Sequence, residues 1–251
     1  MSNIYKAFEN GKAYMPFFIC GDPDLQTTAA AVREAVKNGA SLIELNIPFS
    51  DPTAGDAGIQ EANIRALQGG VTTDKIFDFI AELRQDVTVP FVISGYANVV
   101  FSYGPDRFLR RCAQLGVDGL IVPDLPFEER EEFLPWCQQY GVDLIVMVAA
   151  TSRERVTAIA KEATGFLYIM ACPGTTAELR EIVEVVRTVT EVPCAVCLSS
   201  EDAPQFWETA ELVDGVIEDA PIVALMGRFG AGSPRQVGAH ARRAVMQLKA
   251  I

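Results

Sequence analysis

The chain has 251 residues, 49% apolar and 22% charged, a globular balance that excludes disorder and low complexity. Its 21 basic and 33 acidic side chains leave a net charge of -12, which argues against nucleic acid and anionic membranes as partners, though not against a small phosphorylated substrate in a local anion site. No apolar run approaches the ~20 residues of a membrane span, and the opening Met-Ser-Asn-Ile-Tyr-Lys lacks the features of a signal peptide, so a cytoplasmic protein is expected.

Read in order, short β-rich runs recur at Met15–Cys20, Ser41–Asn46, Pro90–Gly95, Gly119–Val122, Asp143–Val148, Gly165–Met170, Pro193–Leu198 and Gly215–Ile217. Several are nearly continuous in Val, Ile and Leu, as parallel strands buried on both faces are. Between them lie helix-length amphipathic segments. Leu25–Asn38 ends at Gly39, Asp106–Leu115 at Gly116 and Glu128–Tyr140 at Gly141, each a glycine suited to a helix C-cap. Ser152–Ala163, Glu178–Thr188 and Val237–Leu248 complete the helical pattern. Eight βα units in one chain of this length predict an α/β fold, a single (β/α)8 barrel domain over residues 1–251. A doubly wound open sheet is the alternative.

Side-chain shortages narrow the chemistry. His240 is the only histidine and reads as a solvated position of the last helix. A single histidine so placed disfavours a Ser-His-Asp or Cys-His hydrolase, and a histidine-rich metal site as well. The six cysteines read as buried free thiols in a reducing compartment; Cys194 and Cys197, three apart in a strand, point to opposite faces. Cys172 and Cys197 lack an activating base, and the lysines lie away from strand ends, which disfavours a Schiff-base aldolase. Asp56, Glu218 and Asp219 without histidine partners make a poor metal set, and no cofactor is expected.

A barrel carries its site at the C-terminal ends of its strands. That places Phe17, Glu44, Tyr96, Ile121, Tyr168, Met170, Cys197, Ser199, Glu218 and Asp219 near the mouth, with Asp56 in the long loop after the second strand. Glu44, between Ile43 and Leu45, is expected to be desolvated most and to have the highest carboxyl pKa. Asp56, in Gly55-Asp56-Ala57-Gly58, is expected to meet water. The positive end of the helix that starts at Ala220 is expected to lower the pKa of Asp219.

The runs Met-Pro-Phe-Phe-Ile-Cys-Gly-Asp-Pro-Asp (15–24), Leu-Ile-Glu-Leu-Asn-Ile-Pro-Phe-Ser-Asp-Pro (42–52), Gly-Leu-Ile-Val-Pro-Asp-Leu-Pro (119–126) and Asp-Gly-Val-Ile (214–217) resemble the tryptophan synthase alpha subunit family over nearly the whole chain. The resemblance implies a TIM barrel that splits indole-3-glycerol phosphate into indole and glyceraldehyde 3-phosphate. It also implies a pyridoxal-phosphate-dependent beta subunit as partner, provided the docking surface is retained. By motif, Glu44 becomes the proton shuttle, and Tyr96 and Tyr168 become pocket residues.

The sequence departs from the family pattern at the strand ends. Gly55 stands where the family's second carboxylate is expected, with Asp56 one residue later. Ala171–Ala177 runs into a helix where a long lid is expected. Ser199 stands where the strand-seven ending has a glycine, and Glu218-Asp219-Ala220-Pro221 replaces a phosphate-binding Gly-Ser. Phosphate near Asp219 would meet like charge, costing roughly 4 kcal/mol per unit pair at ~4 Å and an effective dielectric of ~20. These clustered departures point to a remodelled mouth, as design on this scaffold would give. The reaction that reading favours is proton abstraction from an indole-sized bicyclic aromatic, of Kemp-elimination type, with Glu44, Glu218, Asp56 or Asp219 as the candidate base. The alternatives are indole-3-glycerol-phosphate cleavage with divergent loops, and a non-catalytic small-molecule binder.

Overall fold

A strand in a closed parallel barrel buries one face against the barrel interior and the other against the surrounding helices, which is why its sequence carries little alternation. A computed structural model of the chain describes residues 3–53, 55–149, 152–170, 176–198 and 206–251. Among these residues it holds β1 (Ala13–Ile19), β2 (Ile43–Asn46), β3 (Phe91–Ser94), β4 (Gly119–Ile121), β5 (Asp143–Leu144), β6 (Met147–Val148), β7 (Leu167–Met170), β8 (Cys194–Cys197) and β9 (Gly215–Glu218). All pair in parallel, in the order β5-β4-β3-β2-β1-β9-β8-β7-β6.

β5 and β6 are two halves of the single run expected at 143–148. Ile145 N donates to Leu120 O at 2.9 Å, and Tyr168 N donates to Val146 O at 3.1 Å, so one segment hands its ladder from β4 to β7 and closes the ring. The eight-stave barrel is present, with its fifth stave divided.

The helices around it are α1 (Leu25–Lys37), α2 (Ala57–Gln68), α3 (Thr73–Leu83), α4 (Ala97–Tyr103), α5 (Pro105–Gln114), α6 (Leu134–Tyr140), α7 (Arg153–Lys161), α8 (Thr176–Arg187), α9 (Phe206–Leu212), α10 (Ala220–Phe229) and α11 (Ser233–Leu248). The side chains of Asp24, Asp56, Thr72 and Ser152 cap α1, α2, α3 and α7 by accepting a backbone N–H three residues on. The helix expected over Glu128–Tyr140 is divided. Pro135 is tolerated only in a first helical turn, so α6 begins at Leu134, and Phe127–Glu132 winds as a separate 3-10 segment.

The bottom of the barrel is closed by a 3-10 turn, Asn3–Phe8, which composition and periodicity did not announce. Ile4 and Ala7 join Met15, Val92, Ile145 and Phe166 in an apolar cluster inside the ring. A Cβ on Gly119 or Gly165 would come within 3.0 Å of Ile4 Cδ1, and Gly165 also has φ of +66°, so glycine is needed at both for the plug to seat.

His240 is corrected by the structure: it is 3% exposed, on the inner face of α11. Its Nε2 lies 2.7 Å from Glu218 Oε2, and Tyr14 Oη donates to the same oxygen at 2.7 Å. Glu218 is fully buried. This group ties β1, β9 and α11 together behind the sheet. Replacing His240 with Leu leaves Glu218 in an apolar layer without its ring partner, and the expected loss is about 3–5 kcal/mol of unfolding free energy. Tyr14→Phe, which removes one buried hydrogen bond to the Glu218 carboxyl, is expected to cost less, about 1–3 kcal/mol. Urea unfolding of the three proteins checks both values and their order.

Candidate active site

The period of two along each stave decides which side chains reach the mouth. In β2, Ile43 and Leu45 face the helices, while Glu44 and Asn46 face inward, beside Phe17 of β1 and Ser94 of β3. In β7 and β8 the inward residues at the top are Tyr168, Met170 and Cys197. In β9, Ile217 faces the interior and Glu218 the helices, so Asp219, just past the strand, turns inward again.

These side chains surround a cavity of about 330 Å³ at the C-terminal end of the barrel, within the range of small-molecule sites. Phe17, Glu44, Asp56, Tyr96, Ile121, Tyr168, Met170, Cys197 and Asp219 all line it. Glu218 does not; expected near the mouth, it lies on the opposite face of β9, held by Tyr14 and His240. Ser199 and residues 171–175, which include Cys172, lie outside the described residues, while Thr176 and Ala177 of the segment where the lid was expected open α8.

Glu44 is 4% exposed. Burial pushes its carboxyl up to about 8, opposed by a hydrogen bond from Ser94 and reinforced by the charge of Asp219. Ser94 Oγ is also 3.4 Å from Asn46 Oδ1, and its single proton can serve one acceptor at a time. Burial likewise raises the Tyr168 hydroxyl and the Cys197 thiol, each of which feels the charges of Glu44 and Asp219. Tyr168 and Cys197 hydrogen-bond each other, and Cys197 bonds Asp219 in turn.

Asp219 departs from expectation. It caps α10, with Ala220 N donating to its Oδ1 at 2.5 Å, yet its carboxyl is raised above the ordinary Asp range, because burial outweighs that bond. Asp56 is exposed and accepts from Ile59 N at 2.9 Å, so it reaches the cavity while starting α2.

Aromatic walls complete the site. Tyr96 stacks on Phe49 with ring centroids 4.8 Å apart and planes at 23°. The loop bearing Phe49 is fixed by Asn63, a residue sequence reasoning missed: its Oδ1 accepts from Phe49 N at 2.9 Å and its Nδ2 donates to Ile59 O at 2.8 Å. A signal existed, since Asn63 lies in the buried stripe Ile59, Ala62, Asn63, Ala66 of α2, where a polar side chain needs a partner.

The motifs quoted from the sequence hold the mouth in place. Asp22 of Gly-Asp-Pro, 1% exposed, receives Arg65 through two bonds of 2.8 and 2.9 Å, locking the loop after β1 to α2. Asp124 of Val-Pro-Asp-Leu-Pro accepts from Ala97 N at 2.8 Å at the start of α4. Among the described residues no group of three or more His, Cys, Asp or Glu is placed to hold a metal ion, and no helix is long and apolar enough to cross a membrane.

Comparison with known proteins agrees with this fold. Residues 5–250 match the family model described as tryptophan synthase alpha chain. The tryptophan synthase alpha chain of Lacticaseibacillus casei is 39% identical over 244 residues, covering 94% of this chain and 92% of the relative. That of Petrotoga mobilis is 37% identical, covering 90% and 91%. The crystal structure of tryptophan synthase subunit alpha from Legionella pneumophila superposes with a TM-score of 0.91 at 29% identity, over the full length of both chains.

The raised carboxyl of Glu44 has a consequence for stability. Its folded value, about 8, lies above the ordinary 4.5, so the protonated form is favoured by folding. Relative to a neutral residue, Glu44 costs nothing below about pH 4.5 and progressively more as pH rises to about 8, then stays constant. Glu44→Gln is therefore expected to match the parent at pH 4 and to exceed it at pH 9 by as much as about 5 kcal/mol. Denaturant unfolding across that range reads the difference; parallel curves for the two proteins would contradict it.

Proposed function

Because the chain belongs to the tryptophan synthase alpha chain family, we propose that it is a lyase that cleaves the bond between an indole ring and a glycerol-type side chain, the reaction of indole-3-glycerol phosphate cleavage. The observation that carries this reading is Glu44: a buried carboxyl, protonated at neutral pH, facing a cavity with aromatic walls.

Glu44 delivers its proton to C3 of the indole, placing a positive charge on the ring nitrogen. As a carboxylate it then takes the proton of the hydroxyl on the adjoining side-chain carbon. The C–C bond breaks, its electrons return to the ring, and an aldehyde leaves with indole. Glu44 ends protonated as it began. Asp56, one residue beyond the family's position, faces the cavity and is the carboxylate available to the charged ring nitrogen. Tyr96 and Phe17 hold the bicycle flat, and Tyr168 and Cys197 sit beside the acid.

Base-catalysed proton abstraction of Kemp type requires Glu44 ionised, whereas burial favours its protonated form; family membership gives no support to an engineered pocket. The family resemblance supports a cytoplasmic enzyme that passes indole to a beta subunit.

The test is indole release followed against pH. With the acid form required first, kcat/KM is expected to be level through neutrality and to fall above about pH 8. Glu44→Gln is expected to lose about 10²-fold or more. A rate that rises through pH 8 and vanishes in the same variant would instead identify Glu44 as a base.

A further inference from the structure

The carboxyls around the cavity have no basic counterpart among the described residues. Glu44, Asp56 and Asp219 face the cavity, and no Lys, Arg or His does among the described residues. The segments outside that description contain no Lys, Arg or His in their sequence. Arg65, on α2, is occupied by Asp22 and lies against Gly227, toward the far end of α10.

Helix α10, whose start borders the cavity, is equally unready for an anion. A helix N-terminus attracts anions through the free N–H groups of its first turn. Here Ala220 N is taken by Asp219 Oδ1 at 2.5 Å. Pro221, the next residue, has no N–H. Of the first three positions only Ile222 retains a donor to offer.

We propose that Asp219 sets substrate choice at this site: the end of the cavity beside α10 takes an uncharged, hydroxyl-bearing side-chain terminus and rejects a phosphate ester. For turnover this rests on the lyase reading above; as a binding preference it stands on charge and geometry alone. A terminal hydroxyl can donate to the Asp219 carboxylate, which needs donors where it is buried. A phosphate dianion brings a second acceptor and like charge to the same place, with no cation to offset either.

The experiment uses the full chain. Calorimetric titration with inorganic phosphate and with glycerol 3-phosphate is expected to show binding weaker than about 10 mM. Asp219→Gly, which frees Ala220 N and removes the charge, is expected to tighten both by about 100-fold or more. Asp219→Asn keeps a cap acceptor and so preserves the helix start; it is expected to give an intermediate gain. In steady state the parent is expected to favour indol-3-yl glycerol over its phosphate ester in kcat/KM. Asp219→Gly is expected to reverse that order, with KM falling for the ester and rising for the unphosphorylated compound, a split that mere loss of structure would not produce. Submillimolar phosphate binding by the parent, or faster cleavage of the ester, would overturn the proposal. Failure to cleave either compound sinks the lyase reading, and the phosphate titrations then decide this one by themselves.

Discussion

A stave of a parallel barrel has no wet face, and every carboxylate placed on one must be accommodated without bulk water. The chain meets that constraint in three ways. Glu44, on the inner face, keeps its proton, since it is buried and the described lining offers it Ser94 but no cation. Glu218, on the outer face, is held by a tyrosine hydroxyl and the only imidazole in the chain. Asp219, at the turn between strand and helix, borrows the first amide of α10. The first solution leaves a titratable group facing the cavity, the second fastens the last helix to the sheet, and the third closes a helix end to anions.

The frame and the mouth answer to different demands. Asp22 with Arg65, Asp124 with the start of α4, and Asn63 with the Phe49 loop fix the positions of the βα loops, and they do so through the same segments that carry the family signatures. The residues facing the cavity are freer to change, because a substitution there alters what the cavity accepts without disturbing the ladder beneath it. At a helix start, one carboxylate and one proline together take up or remove two of the first three amide donors.

Much of the barrel was legible in the sequence. Short, mostly apolar runs of four to seven residues, separated by capped amphipathic helices, identify the staves, and strand-end positions then name half of the residues around the cavity. What the sequence withheld is parity. Gly215-Val216-Ile217-Glu218 is apolar on both faces until its last residue, so nothing in it says that Ile217 points in and Glu218 out. The same blindness affected His240. Its helix reads as amphipathic, but the partner that draws the ring inward is a carboxylate on a strand 22 residues earlier, and such pairings have no local signature. The sign of the Asp219 shift was missed because a helix dipole is a local cue, whereas desolvation depends on the whole surrounding fold. The divided fifth stave and divided sixth helix were missed through boundaries, the first set by pairing and the second by Pro135.

The plug at the barrel floor bears on how the molecule is made. Ile4 leaves the ribosome long before Gly119 and Gly165, the two glycines against which it rests. Its apolar side chain therefore has no seat until most of the staves exist, and the earliest residues of the core are among the last to be buried. Contacts of such wide sequence separation slow folding, and during synthesis they leave Ile4, Ala7 and Phe8 without the cluster they later join. An apolar segment waiting in this state is a natural handle for a chaperone, and its disappearance into the ring marks the moment the barrel is complete.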